Sequence, residues 1–125
     1  MNVLQHIDYW RTGSEEDLAF AKDTIQRGKV RYGLFFAHLA LEKILKALIC
    51  KATAEIPPKS HNLVRLAELA GIELNVEKTE FLDEMTGWCL SGRYPEFLPD
   101  EPTEVKAENL MLETIKCHIW LTSQL

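Results

Sequence analysis

The segment Arg31–Ile49, read RYGLFFAHLALEKILKALI, constrains this chain more than any other. It is strongly apolar at helical spacing: Leu34, Ala37, Leu41, Ile44, Leu45 and Leu48 recur every three or four residues and make one wide apolar face. A polar line runs beside that face. At 100° per residue, Arg31 and His38 lie within about 20° of each other, and Glu42 follows one turn on. A helix this apolar in a small protein has to be mostly covered. A covered Arg, His or Glu has to be paired, because stranding a buried charge costs on the order of several kcal/mol. The line is therefore either an internal polar network or the floor of a site. In either case Glu42 is expected to pair with Arg31, with His38 or with the Arg93-Tyr94-Pro95 loop, and Lys46, one turn further, belongs to the same candidate network.

The remaining periodicity is helical as well, and no run alternates at period two. A first helix over about residues 3–27 carries Leu4, Ile7, Leu18, Ala21 and Ile25 in one phase that survives Gly13, with a break at Gly13 as the alternative. Gly28 suits the position just past its end. The apolar segment forms the second helix, about 30–52. Ile56-Pro57-Pro58-Lys59 is a connector, since the second proline forces its predecessor extended. Ser60 reads as the N-cap of a short third helix, His61 to Ala70, stopped by Gly71. A fourth helix covers about Glu77 to Leu90 with Leu82, Met85 and Cys89 inward. The loop from Gly92 to Pro102 contains Arg93-Tyr94-Pro95. A last helix starts near Thr103, with Val105, Leu112, Ile115 and Ile119 on one seam. The expected fold is all-α, a single domain spanning residues 1–125, built as an up-and-down bundle of four to five helices.

Composition removes several function classes. The net charge of −5 argues against tight non-specific nucleic-acid binding. The charge is lopsided, with 10 basic against 7 acidic side chains in residues 1–65 and 4 against 12 in residues 66–125. Lys22, Arg27, Lys29, Arg31, Lys43, Lys46 and Lys51 form a basic run that reads as a solvated face, with an anion site or a self-association surface as alternatives. Three cysteines, Cys50, Cys89 and Cys117, lie inside apolar segments without a CxxC and read as reduced buried thiols. The first residues lack the apolar run of a signal peptide, and the most apolar window holds His38, Glu42, Lys43 and Lys46, so no membrane span is expected and the cytoplasm is the default location.

No phosphate-binding glycine loop, HExxH or zinc quartet is present in the sequence, so no metal or cofactor is expected. Cys117 and His118 are adjacent, and their side chains diverge by about 100° on a helix. Three features remain: the Arg31/His38/Glu42 line; His61, which stands near an N-cap and reads as a capping or packing residue or as part of a site; and Arg93-Tyr94-Pro95, which reads as a plug at a bundle end or as a loop presenting the Tyr94 hydroxyl.

These residues carry a resemblance. YW…DLAFA…G…RYGLFFAHLALEKILKALI…PPKSHNLVRLAELAGI…RYPEF resembles, in its order and spacing, the HEPN family (higher eukaryotes and prokaryotes nucleotide-binding domain) in its small stand-alone prokaryotic form, over almost the whole chain. The resemblance implies a helical bundle that forms homodimers, binds a nucleotide or RNA, and is encoded with a minimal nucleotidyltransferase partner in toxin–antitoxin-like pairs. It further implies, for catalytic members, a metal-independent RNase with an Arg and a His separated by four to six residues. Arg31 and His38 have that spacing. They stand on an earlier helix than the one expected to carry the motif, and Glu42 on the same line would repel phosphate. The leading expectation is thus a non-catalytic module with Glu42, Lys46, His61, Arg93 and Tyr94 as ligand-binding or network residues. An RNase toxin using Arg31 and His38, and a plain dimeric scaffold, are the alternatives.

Overall fold

In the computed structural model, which describes residues 2–93 and 101–125 and the side chains up to Cys89 and from Glu101 onward, the chain forms five helices: α1 (Val3–Gln26), α2 (Val30–Thr53), α3 (Leu63–Leu69), α4 (Val76–Arg93) and α5 (Glu104–Thr122). Among the described residues there is no strand.

α1 runs unbroken through Gly13. Its start is fixed by a capping box, in which the Asn2 side chain accepts from the Gln5 amide and the Gln5 side chain accepts from the Asn2 amide. Gly28, at φ +82°, turns the chain into α2. The two helices pack antiparallel. Trp10 lies against Lys46, Asp17 against Lys43, Ser14 against Ala40 and Phe20 against Phe36. At the tightest point, a Cβ added to Gly33 would stand 2.2 Å from Ile25 Cγ1 and 3.1 Å from its backbone nitrogen, so this crossing requires glycine.

α2 is the central element and packs on α1, α3, α4 and α5. All six residues of its expected apolar face are buried. The helix ends at Ala54, a non-glycine residue at φ +57°. Leu82, Met85 and Cys89 of α4 are buried as the pattern requires.

Three expectations need correction. The third helix is capped by Asn62, whose side chain accepts from the Arg65 amide, and Ser60 instead accepts from the Asn62 amide; His61 therefore precedes the helix. Leu4 is 76% exposed, because the first turns of α1 overhang the core. The third correction is larger. The α5 seam of Val105, Leu112 and Ile119 faces outward at 68%, 56% and 64% exposure, with Ile115 half-buried. The buried face is Ala107, Leu110, Met111, Thr114, Cys117, His118 and Leu121. α5 has two stripes, and the one against the core includes polar groups that find partners there: Thr114 donates to the Leu110 carbonyl, and His118 meets Ser14.

A candidate site around Glu42 and His61

The polar line of α2 is buried, and it closes on a residue outside the helix. Glu42 lies inside the bundle at 5% exposure. One carboxylate oxygen, Oε2, accepts from Lys46 Nζ at 3.1 Å, the i,i+4 spacing at which side chains on one helix face meet. The other, Oε1, accepts from His61 Nδ1 at 2.7 Å and lies 3.9 Å from His38 Nδ1. Lys46 is buried at 6%, its ammonium 5.2 Å from the centre of the Trp10 ring.

His38 is fully buried, and its Nε2 lies 2.8 Å from the His61 carbonyl oxygen. A carbonyl only accepts, so His38 carries its proton on Nε2. α2 thus holds His61 twice, by its carbonyl through His38 and by its ring through Glu42. The bond to Glu42 places the His61 proton on Nδ1 and leaves Nε2 as the ring's acceptor. The His61 side chain is 47% exposed, so a carboxylate-oriented imidazole stands at the surface. Such a pair can take or give a proton at Nε2 or accept a hydrogen bond from a ligand.

Arg31 does not join this network. It is half-buried on the first turn of α2, roughly 16 Å along the axis from Glu42, beyond the reach of the two side chains. Of the partners expected for Glu42, Arg31 is out of reach and His38 comes only within 3.9 Å, while Lys46 and His61 make the hydrogen bonds. Arg93 ends α4, but its side chain and the whole of Tyr94 lie outside the described residues.

The basic run disperses. Lys43 pairs with Asp17 at 2.7 Å, Lys46 with Glu42 and Arg27 with Asp23, while Lys51 donates to the carbonyls of Gln124 and Leu125.

A second feature gathers at the α1–α2 corner. Phe20, Tyr32 and Phe36 line a cleft of about 350 Å³ together with Asp23, Thr24, Arg27 and Lys29. Phe20 and Tyr32 are 51% and 65% exposed, and Lys29 caps α2 without offering a side-chain acceptor to its first amides. Aromatic faces beside cations suit a planar anionic ligand. Helical periodicity alone does not bring these residues together as a site. The signal in the sequence was Tyr32 and Phe36 one turn apart beside Lys29.

Ser14 and His118 form a third buried pair. Ser14 spends its one proton on the Ala40 carbonyl at 2.6 Å, so its oxygen accepts from His118 Nε2 at 2.8 Å. That polarity is the reverse of a His-activated nucleophile. Burial holds the His118 pKa below the usual histidine range, with Glu15 opposing. Cys117 faces the other way, toward Phe81 and Trp120, and burial pushes its thiol up to about 11, Lys78 opposing and Glu113 adding. Among the described residues no group of histidine, cysteine and acidic side chains could hold a metal ion, and no helix is long and apolar enough to cross a membrane.

The described residues form an all-helical bundle, with a buried polar line on its second helix closed by a histidine beyond the proline connector. The HEPN domain model matches residues 7–120, and the chain belongs to the HEPN domain family. Among solved structures, that of TT1696 from Thermus thermophilus superposes with a TM-score of 0.81 at 21% identity, over 100% of both chains, a likeness of fold. No curated protein matches the chain.

Proposed function

We propose that this HEPN protein is a non-catalytic, self-associating helical module that acts in the cytoplasm, binding a nucleotide and a minimal nucleotidyltransferase partner in a toxin–antitoxin-like pair. One observation carries the non-catalytic reading. His38, the only histidine at the family's spacing from Arg31, is sealed in the core with its Nε2 committed to the His61 carbonyl. Phosphodiester cleavage needs a titratable group within hydrogen-bond reach of the 2′-hydroxyl, and no substrate atom reaches a residue with no exposed surface. The aromatic–basic cleft at Phe20, Tyr32 and Arg27 supports the nucleotide half, since it can stack a base and face a phosphate with cations. The free thiols Cys50, Cys89 and Cys117 support a reducing compartment.

The test has three parts. Purified protein is expected to leave single-stranded RNA intact in EDTA. ATP or GTP is expected to bind by calorimetry, and Tyr32→Ala to weaken that binding at least threefold. A nucleotidyltransferase encoded by the neighbouring reading frame is expected to co-purify. Metal-free cleavage lost in a folded His38→Ala variant overturns the non-catalytic reading.

A second reading is favoured by the half-exposed His61 held by Glu42: an RNase in which His61 rather than His38 is the base. It predicts metal-free cleavage that is abolished by His61→Asn.

A further inference from the structure

The outward stripe of α5 is self-complementary. Val105 and Ile119 lie seven residues on either side of Leu112, which on a helix puts all three within about 20° of one line and spans roughly 21 Å. All three are more than half exposed in a protomer that has an ample buried core elsewhere. Scattered exposed hydrophobics need no explanation, but here three large apolar side chains recur every seven residues as a ridge along one face of one helix, with the half-buried Ile115 beside them.

The charges around the ridge indicate what covers it. Glu108 and Lys116 lie four residues on either side of Leu112, about 40° off the ridge and on opposite flanks. A two-fold axis through the Leu112 level that sets a second α5 antiparallel to the first has three consequences. Leu112 meets the partner's Leu112. Val105 meets the partner's Ile119. Glu108 stands at the level of the partner's Lys116, across the seam. The symmetry repeats each unlike contact, so one helix face supplies two such charge pairs. A parallel pairing would set Glu108 beside the partner's Glu108. Glu108 and Lys116 are both exposed, and the contact Lys116 makes in the protomer is a loose one, 3.6 Å to Glu113 with both side chains more than half exposed. An exposed pair of that kind is worth little and is easily exchanged.

The surroundings provide room for a partner. On one side of the ridge a cleft of about 230 Å³ runs between α5 and α1, lined by Lys22, Ile25, Met111 and Ile115. On the other a cleft of about 300 Å³ runs between α5 and α4, lined by Phe81 and Trp120. A ridge between two grooves fits another such ridge and its flanking side chains. It also allows the contact to extend beyond α5 toward the roughly 800 Å² per partner that a stable interface buries.

We propose that a second copy of this chain covers the outer face of α5, in an antiparallel two-fold contact centred on Leu112. The proposal rests on the self-association half of the reading above. The nucleotide and nucleotidyltransferase halves stand or fall separately.

Light scattering and sedimentation at 1–100 μM test it. The wild-type chain is expected at twice 14.3 kDa. Leu112→Glu is expected to raise the dimer dissociation constant about 30-fold or more, the effect of losing a central interface residue, while its circular dichroism and melting stay those of a folded protomer. Glu108→Lys and Lys116→Glu are each expected to weaken the dimer several-fold, and the double swap Glu108→Lys/Lys116→Glu to restore it. A wild-type monomer throughout the range overturns both this proposal and self-association. A dimer indifferent to Leu112→Glu overturns this face and leaves self-association through another. A double swap no better than either single change overturns the antiparallel register. A monomer whose Leu112→Glu variant loses a co-purifying nucleotidyltransferase assigns the face to that partner and overturns self-pairing.

Discussion

Replacing Glu42 by alanine should be the most destabilising single polar change in the molecule, and the size of the loss follows from who is left behind. Lys46, at 7% side-chain exposure, loses the carboxylate 3.1 Å away. What remains near it is the Trp10 ring at 5.2 Å, worth of order 1 kcal/mol. Breaking one side of a buried pair typically costs about 3–5 kcal/mol, because the orphaned charge is neither solvated nor neutralised. The His61 bond adds little to that figure, since its imidazole is nearly half exposed and can turn to water. For a chain of 125 residues, an unfolding entropy of about 2.1 cal/mol/K per residue gives roughly 4 °C per kcal/mol, so the melting temperature should fall by about 11–19 °C. The matching control is Glu42→Leu with Lys46→Met, which removes both charges at similar volume and should recover most of the loss. Thermal melts and urea denaturation at pH 7 measure both. A Glu42→Ala melting temperature within about 3 °C of wild type, or a double variant as unstable as the single one, would refute the argument that this is a dry, mutually neutralised pair.

Gly33→Ala should destabilise by about 1–3 kcal/mol in thermal melts despite alanine's better helix propensity, because the new Cβ drives into Ile25. Ala54→Gly should stabilise by roughly 1 kcal/mol, relieving a left-handed residue at φ +57°. Ser14→Ala should cost about 1–3 kcal/mol by leaving His118 Nε2–H without its acceptor. For pH, the lowered pKa of His118 means that the unfolded chain binds a proton near pH 6.5 that the folded chain still refuses. Stability is then full above about 6.5 and falls as pH drops below it, by up to about 1.4 kcal/mol per unit, and His118→Gln should flatten that part of a urea-midpoint profile. Cys117, at about 11, should resist iodoacetamide at pH 8 until the protein is unfolded.

What could be read from the sequence, and what could not, divides along physical lines. α2 was legible in detail because one stripe of large aliphatics and one short polar line are unambiguous on a helix, and the bundle buries the stripe together with His38, Glu42 and Lys46. α5 misled because it has two usable stripes. Hydrophobicity favours Val105, Leu112 and Ile119. The core instead takes a stripe containing Thr114 and His118, which looks worse until Ser14 and the Leu110 carbonyl are seen to satisfy it. The candidate site was half legible. Glu42 had to have a partner, and periodicity supplied Lys46. Periodicity says nothing about which residue of a distant connector folds back, so His61 could be singled out without its bond to Glu42 being foreseen. Arg31 was included by its angle on the helix wheel and excluded by its height along the axis.

The connector explains why a bundle would place such a network in its core. Between the end of α2 and Leu63 the chain passes through Pro57 and Pro58, with Pro57 buried, and forms no helix that could satisfy its backbone. A carbonyl there needs a donor from elsewhere. His38 and Glu42, one turn apart on α2, present a donor and an acceptor side by side, and His61 meets them with its carbonyl as acceptor and its ring as donor. Lys46 then neutralises the carboxylate, so that the grip leaves no net buried charge. His38 and Lys46 are consumed by this task. The one polar atom it leaves facing outward is His61 Nε2, on a ring whose tautomer and position are held by groups that solvent does not reach. Among the described residues of this network, a ligand-binding or proton-transfer role would fall to His61, and variants of His38 or Lys46 should act on it only by loosening that ring.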